Sequence, residues 1–321
     1  MASHTYRIAS FNVLGGANNY KIYQYPSSAN NAPRTDVTAE QEANIQRGVP
    51  ERFAKMMAMI RGESLDIVGL QEANNNWLPL ISGLDDYGYA GGGKKIDGEG
   101  GYILYKKSRF DLSDGGSFAL FYEEKDAQGN VILTASATDN NGNPTGTYHD
   151  RVCGWALLQI KDSDRYVLAL DTHLHQWHCG ANDDEIRRRQ AVEIVAFLNE
   201  KLEALRNEGK TEVSVMLTGD MNSTRSMAAY PVFTSALSDS RLVSRGETLG
   251  TDLDSSPEFT YIADPEHPAY RCHADGWIID FVFVGNMDVQ NYRMVHTSTN
   301  ICPYGAYISD HNCVIAEVFI G

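Results

Sequence analysis

The chain has 321 residues, with 27 Lys+Arg against 42 Asp+Glu, a formal charge of −15 and a pI near 5.0. Apolar residues make up 42%, aromatics 10% and charged residues only 21%, which suffices for a large buried core and excludes a disordered, solvated chain. The negative balance repels phosphate-rich polymers at long range, so a nucleic-acid ligand would need a local basic patch or bound cations.

Several other classes drop out on pattern. The longest apolar run, 277–284, is interrupted and falls short of the ~18 residues a membrane helix needs, so no transmembrane segment is expected. The start, Met-Ala-Ser-His-Thr-Tyr-Arg, lacks the basic patch and apolar stretch of an export signal. A soluble protein is expected, with a cytoplasmic form and a trimmed, secreted form both open. Cys153, Cys179, Cys272, Cys302 and Cys313 are an odd, scattered set without a C-x-x-C pair, which indicates neither a disulfide framework nor a zinc knuckle.

In chain order, an apolar strand at 6–11 ends in Asn12. A helical rhythm over 39–60 follows, with Pro50 implying an interruption or restart. A strand at 67–70 ends in Gln71-Glu72, the glycine-rich piece 91–101 reads as a long loop, and a strand is expected at 101–105. The polar stretch 126–149 reads as a second long loop before strands at 152–160 and 166–170, the latter ending in Asp171-Thr172-His173. A helix over 184–207 is stopped by Gly209, and a strand at 213–217 leads into Gly219-Asp220-Met221-Asn222. The last two strands are 278–284 and 313–319. With no linker or repeat evident, residues 1–321 are expected to form a single domain.

Any one polar residue at a strand end can simply begin a loop. Here four buried strands deliver such groups, and the set points to one chemical centre. Asp280 lies inside an apolar run, where an ionised carboxylate needs a partner. His311, in Ser309-Asp310-His311, is the expected mate, since a buried carboxylate fixes an imidazole's tautomer and raises its basicity.

These residues resemble the endonuclease/exonuclease/phosphatase superfamily, the DNase I-like fold. The motifs occur in the family's order: Ser-Phe-Asn-Val (Asn12), Gly-Leu-Gln-Glu (Glu72), Thr-His-Leu (His173), Thr-Gly-Asp-Met-Asn (Asp220, Asn222), Ile-Asp-Phe-Val-Phe-Val (Asp280) and Ser-Asp-His (Asp310, His311). Secondary likenesses are Glu99-Gly-Gly-Tyr-Ile-Leu-Tyr, Arg151-Val-Cys-Gly-Trp-Ala, and the helix containing Arg188 to Gln190. The sequence departs from the family at Asp171, where most members have Asn, and in the extended loop His175-Gln-Trp-His178-Cys179. His173, His175, His178 and Cys179 lack a second cluster or zinc spacing, so that loop is expected to shape substrate access. His267, Arg271 and His273, in the insert before Asp280, are expected to do the same.

The resemblance implies an α/β (α+β) fold, a four-layered sandwich of two packed mixed β-sheets with flanking helices. It also implies a metal-dependent phosphoesterase. Asn12, Glu72 and Asp310 would supply oxygen ligands to Mg2+ or Mn2+. Asp220 would deprotonate the attacking water, and Asn222 would hold that water or a phosphate oxygen. His173 and His311, the latter held by Asp280, would donate to the phosphoryl oxygens or leaving group, and Arg151 would contact the phosphate.

The favoured activity is phosphodiester hydrolysis of the nuclease-like branch, with nucleic acid among the substrates. The alternative is a small or lipid phosphoester, such as a sugar phosphate, a nucleotide, a phosphoinositide or a sphingomyelin-type head group. The acidic composition supports that alternative. The basic clusters 187–189, 94–95 and 106–107 are small and resemble solvated faces more than a DNA track. A remote third reading is an inactive binding module on the same fold. No protein partner is indicated.

Overall fold

Tyr6 and Ile8 pack to one side of the first strand, Ala9 and Phe11 to the other, and all four are buried. A strand buried on both faces belongs in the middle of a layered structure. The structure is a computed structural model that describes residues 5–15, 49–93, 99–121, 123–129, 131–138, 144–148, 151–176, 182–251, 254–257 and 277–321.

The strands are β1 (Thr5–Asn12), β2 (Ile67–Ala73), β3 (Tyr87–Gly93), β4 (Gly100–Lys106), β5 (Phe110–Ala119), β6 (Glu123–Lys125), β7 (Val131–Thr134), β8 (Ser136–Thr138), β9 (Pro144–Tyr148), β10 (Val152–Ile160), β11 (Tyr166–His173), β12 (Val213–Asp220), β13 (Ser238–Asp239), β14 (Thr248–Leu249), β15 (Asp280–Gly285), β16 (Asp288–Val295) and β17 (Cys313–Phe319). The helices are α1 (Val49–Gly62), α2 (Leu78–Ser82), α3 (Asp183–Asn207), α4 (Ala229–Thr234) and α5 (Ser240–Val243).

One sheet has seven strands in the order β14-β16-β17-β1-β2-β4-β3, and the other has six in the order β13-β15-β12-β11-β10-β5. Both are mixed, because β1/β2 and β11/β12 run parallel while most neighbours run antiparallel. Helix α1 lays Met56, Met57 and Ile60 on the outer face of the first sheet, against Phe11, Val68 and Leu70. Helix α3 lays Ala191, Ile194 and Leu198 on the second sheet. The result is the expected four layers. Pro50 lies in the first turn of α1, where a missing N–H costs nothing, and Gly209 takes φ +83° just past the end of α3.

Two expected loops are corrected. Both ends of the stretch 91–101 are strand, since β3 runs through Gly93 and β4 starts at Gly100, while 94–98 lie outside the described residues. The stretch 126–149 carries β7, β8 and β9, which form two small hairpins with β6 and with each other. Strands β3, β5 and β16 were not anticipated either. Residues 39–48 of the expected first helix, Lys94 and Lys95, Trp177 to Cys179, His267, Arg271, Cys272 and His273 lie outside the described residues. Cys153, Cys302 and Cys313 are buried free thiols.

Between the sheets the side-chain layer thins to backbone near the strand ends that carry the polar residues. A Cβ on Gly101 of β4 would stand 2.1 Å from the Asp171 carbonyl oxygen of β11, and one on Gly154 of β10 would stand 1.9 Å from the Gly101 carbonyl oxygen. Beside this seam lies a fully buried polar layer. Gln71 Nε2 donates to Asp171 Oδ1 at 2.6 Å and to Ser10 Oγ at 3.3 Å, Thr218 Oγ1 donates to Asp171 Oδ1 at 2.7 Å, and the Gly219 amide donates to Ser10 Oγ at 3.0 Å.

Asp171 Oδ2 and Gln71 Oε1 have no hydrogen-bond partner. Burial drives the Asp171 carboxyl well above the usual carboxylate range, against the pull of Thr218 and Gln71, which favours its neutral form in the folded protein. In the unfolded chain it ionises above about pH 4, and folding must return the proton. Its contribution is therefore most favourable below that pH and declines as pH rises. Asp171→Asn, which needs no proton on folding, is expected to raise stability at pH 7 by ~1 kcal/mol or more, since each pK unit of uptake corresponds to about 1.4 kcal/mol. The gain should vanish near pH 4. Equal melting temperatures for both proteins at pH 7 would refute the neutral acid.

Candidate active site

Strand register brings the acidic and imidazole groups together. His173 of β11 pairs with Asp220 of β12, and Asp220 pairs with Asp280 of β15, so three adjacent strands present these side chains in one row. The first sheet faces them with Asn12, paired with Gln71 across β1/β2, and with His311, two residues before β17. Alternation alone would send Glu72 to the opposite face of β2 from Gln71. Glu72 instead takes a left-handed φ of +60°, where the β2/β4 register slips between Leu70 and Ala73, and its carboxylate swings to the Asn12 side.

Asn12 is the hinge of the hydrogen-bond network. Its Oδ1 accepts from the Leu14 amide at 3.0 Å, which orients Nδ2 to donate to Glu72 Oε1 and to Asp220 Oδ2, both at 3.1 Å. Glu72 Oε2 accepts from the Gly15 amide at 2.7 Å. Asp220 Oδ1 accepts from the Asn222 amide at 2.9 Å, and Asn222, at φ +43°, donates Nδ2 to the Leu174 carbonyl at 3.1 Å. Two imidazoles face Asp220 Oδ2, with His173 Nε2 at 3.4 Å and His311 Nε2 at 3.6 Å.

The expected pairing of Asp280 with His311 is present, Oδ2 to Nδ1 at 2.9 Å. Burial pushes the Asp220 carboxyl up to about 7, and the nearby Asp280 charge adds to that push. For His311 burial disfavours the charged ring, yet Asp280 and Asp220 outweigh it and hold the imidazolium well above its ordinary range. The ligand atoms of Asp220, Asp280 and His311 lie within 4.8 Å of one another, as a metal site would require. The His311–Asp280 hydrogen bond commits Nδ1 and Oδ2 to each other, leaving His311 Nε2, Asp280 Oδ1 and Asp220 as the donors a cation could use there.

Not every expected residue joins this cluster. Asp310 sits beside it, its Oδ1 3.4 Å from the Ser309 hydroxyl, without a hydrogen bond to Asn12 or Glu72 among the described residues. Arg151 is buried and donates Nη1 to Glu99 Oε1 at 3.0 Å, the same oxygen that lies 3.8 Å from His173 Nδ1. Arg151 thus reaches the site through Glu99, a residue that in the sequence only opens a strand likeness. His175 is fully buried and pairs its Nε2 with Asp183 Oδ1 at 3.1 Å, at the first residue of α3.

Three further residues went unnoticed because their partners are distant in sequence. Arg52 of α1 is buried and donates to the carbonyls of Val13, Leu14 and Ile308, tying the loop after β1 to the approach to His311. Ser255 Oγ donates to Asp280 Oδ2 at 2.8 Å, and Ser256 Oγ lies 3.2 Å from His311 Nε2.

The family model for the endonuclease/exonuclease/phosphatase family matches residues 9–311. Among solved structures, an endonuclease/exonuclease/phosphatase from Bacteroides vulgatus is 23% identical, with a TM-score of 0.64 and 99% of each chain covered. A mannosyl-6-phosphatase from Bacteroides thetaiotaomicron is 19% identical over 98% of this chain and 99% of its own, with a TM-score of 0.60. TDP2 from D. rerio, complexed with single-strand DNA product, is 15% identical over 98% of each chain, with a TM-score of 0.57. None of the curated proteins matches the sequence. At these identities the structural likenesses speak to the fold.

Proposed function

Because this chain belongs to the endonuclease/exonuclease/phosphatase family, whose members hydrolyse phosphoester bonds, we propose that its site cleaves a phosphodiester by attack of water at phosphorus. The observation that carries this reading is the convergence of two imidazoles and the Asn12 amide on one oxygen of a buried carboxyl, Asp220 Oδ2, at 3.1 to 3.6 Å. Such a carboxylate can take a proton from water, while the imidazoles on either side can donate to a phosphoryl oxygen and to the leaving alkoxide.

The family is usually metal-dependent, and the donor set here suits a hard divalent cation. The carboxyl groups of Glu72 and Asp220 share a single amide nitrogen, so hard oxygen donors meet at the cleft. We assign the metal, Mg2+ or Mn2+, to Glu72, Asn12 and Asp310. When bound, the cation would neutralise charge developing on the phosphoryl oxygens. Asp220 orients and deprotonates the water, and Asn222 holds it in place. His311, held by Asp280, and His173, backed by Glu99, supply protons, and Arg151 contacts the phosphate. Residues 1–321 act as one unit in this scheme.

A small phosphoester is the second reading, favoured by charge. Acidic residues outnumber basic ones 42 to 27, and the described arginines nearest the cleft turn onto carbonyls or a carboxylate. No helix among the described residues is long and apolar enough to cross a membrane.

Bis-p-nitrophenyl phosphate and p-nitrophenyl phosphate separate the two readings. The diester should be cleaved with Mg2+ and spared with chelator, and Glu72→Gln should lower the rate by ~10²–10³, the usual cost of one preorganised electrostatic contact. Preference for the monoester would select the second reading, and full activity in chelator would remove Glu72 from its role.

A further inference from the structure

The hydroxyl of Ser255 has no freedom in how it bonds. Ser255 is fully buried, and its Oγ accepts from the amides of Ile279 at 2.9 Å and Asp280 at 3.0 Å. Those two donors fill both acceptor positions of a hydroxyl, so its single hydrogen is directed at Asp280 Oδ2, 2.8 Å away. The same Oδ2 lies 2.9 Å from His311 Nδ1.

An ionised carboxylate oxygen can only accept, so His311 must carry a hydrogen on Nδ1. Asp280 Oδ1 has no hydrogen-bond partner, so no hydrogen bond on that side holds the carboxylate in place. The hydroxyl is what fixes which oxygen meets the imidazole. Ser255 is itself pinned at both backbone groups, donating to the Trp277 carbonyl at 3.2 Å and accepting from the Asn312 amide at 2.8 Å. Its segment lies beside the first residue of β15.

We propose that Ser255 is a positioning residue for the phosphoester reaction, acting through Asp280 to hold His311 with its proton on Nδ1 and with Nε2 turned to the cleft. Nε2 accordingly faces Ser256 Oγ at 3.2 Å and Asp220 Oδ2 at 3.6 Å. The competing account is that Ser255 merely satisfies the two β15 amides. The proposal rests on the reading of His311 as a group that works on the phosphate, and the test separates the two.

Ser255→Ala, Ser255→Thr, Asp280→Asn and the Ser255→Ala/Asp280→Asn double variant are assayed on bis-p-nitrophenyl phosphate with Mg2+. The His311 ring nitrogens are followed by 15N NMR, with His311→Asn assigning the signal. Ser255→Ala should lower kcat by ~10-fold, as loss of a group orienting a functional imidazole does, with KM within ~2-fold. Ser255→Thr should restore it. The double variant should be no slower than Asp280→Asn alone, because both act through one unit.

At a pH high enough to make the ring neutral, the spectrum should show the remaining proton held on Nδ1 in the wild type and a mixture of tautomers in Ser255→Ala. Unchanged kcat with a lowered Tm, or losses that multiply in the double variant, would overturn the proposal. If neither ester is hydrolysed, the functional reading fails, and the NMR comparison still decides the role of Ser255, an unchanged tautomer counting against it. Should Ser255→Ala not fold, Ser255→Cys, which keeps the shape but donates weakly, is held to the same criteria.

Discussion

Replacing Asp280 with asparagine is expected to cut turnover by ~10² to 10⁴ while leaving the fold intact, the range seen for groups that orient or supply a catalytic proton. The fold should survive because the amide oxygen can still accept from Ser255 and His311, while its NH2 takes the place of Oδ1, which has no partner to lose. What disappears is the negative charge, the largest favourable influence holding the His311 imidazolium above its ordinary range. His311→Ala should cost at least as much, and the double variant little more than either alone. A nearly normal turnover in Asp280→Asn beside a large His311→Ala loss would mean that Asp280 only satisfies polar groups at the start of β15.

Gly69→Ala is expected to be among the most damaging single-methyl changes in the protein. A Cβ at residue 69 would stand 1.9 Å from Thr218 Oγ1 and 2.2 Å from Asp171 Oδ1, two atoms that are hydrogen-bonded to each other and fully buried. Thr218 cannot withdraw without breaking its hydrogen bond to Asp171, nor Asp171 without breaking its link to Gln71. Overpacking costs ~1–3 kcal/mol and a broken buried hydrogen bond ~1–3 more, a large part of the ~5–15 kcal/mol that domains have in total. The expected result is a fall in Tm of roughly 5–15 °C, or loss of soluble protein. Denaturant unfolding with an unchanged midpoint would show that the polar layer yields more readily than its geometry indicates.

How much of this was legible in the sequence depended on the range of the physics involved. Strands β1, β2, β11 and β12 announced themselves because both faces are buried, which yields unbroken apolar runs, and the polar residues that end them stand out by contrast. Strand β5 did not. It is an edge strand with Asp111, Ser113, Asp114, Gly115 and Gly116 in place of alternating apolar residues, and one side of it needs no core. Strand β3 was hidden by its glycines, which ordinarily signal loops but here permit contact between sheets.

In the site, Asp280 and His311 could be matched because an acid in an apolar run demands a partner. Ser255, Glu99 and Arg52 could not, since a serine, a strand-end glutamate and a helical arginine are unremarkable until folding gives them neighbours. The left-handed backbone of Glu72 was likewise invisible, because nothing in Gly-Leu-Gln-Glu tells which face the last side chain will choose.

The glycine seam governs how the molecule can yield. Where Gly101 and Gly154 bring backbone against backbone, no cushion of side chains remains to be repacked, and the two sheets are riveted at the end that carries the chemistry. Asn12, Glu72 and His311 come from one sheet side, and His173, Asp220 and Asp280 from the other. Their spacing is therefore set before any substrate arrives. The jaws of this clamp resist opening or closing by sliding, so the groups proposed to act on the phosphorus keep one spacing whatever the size of the leaving group.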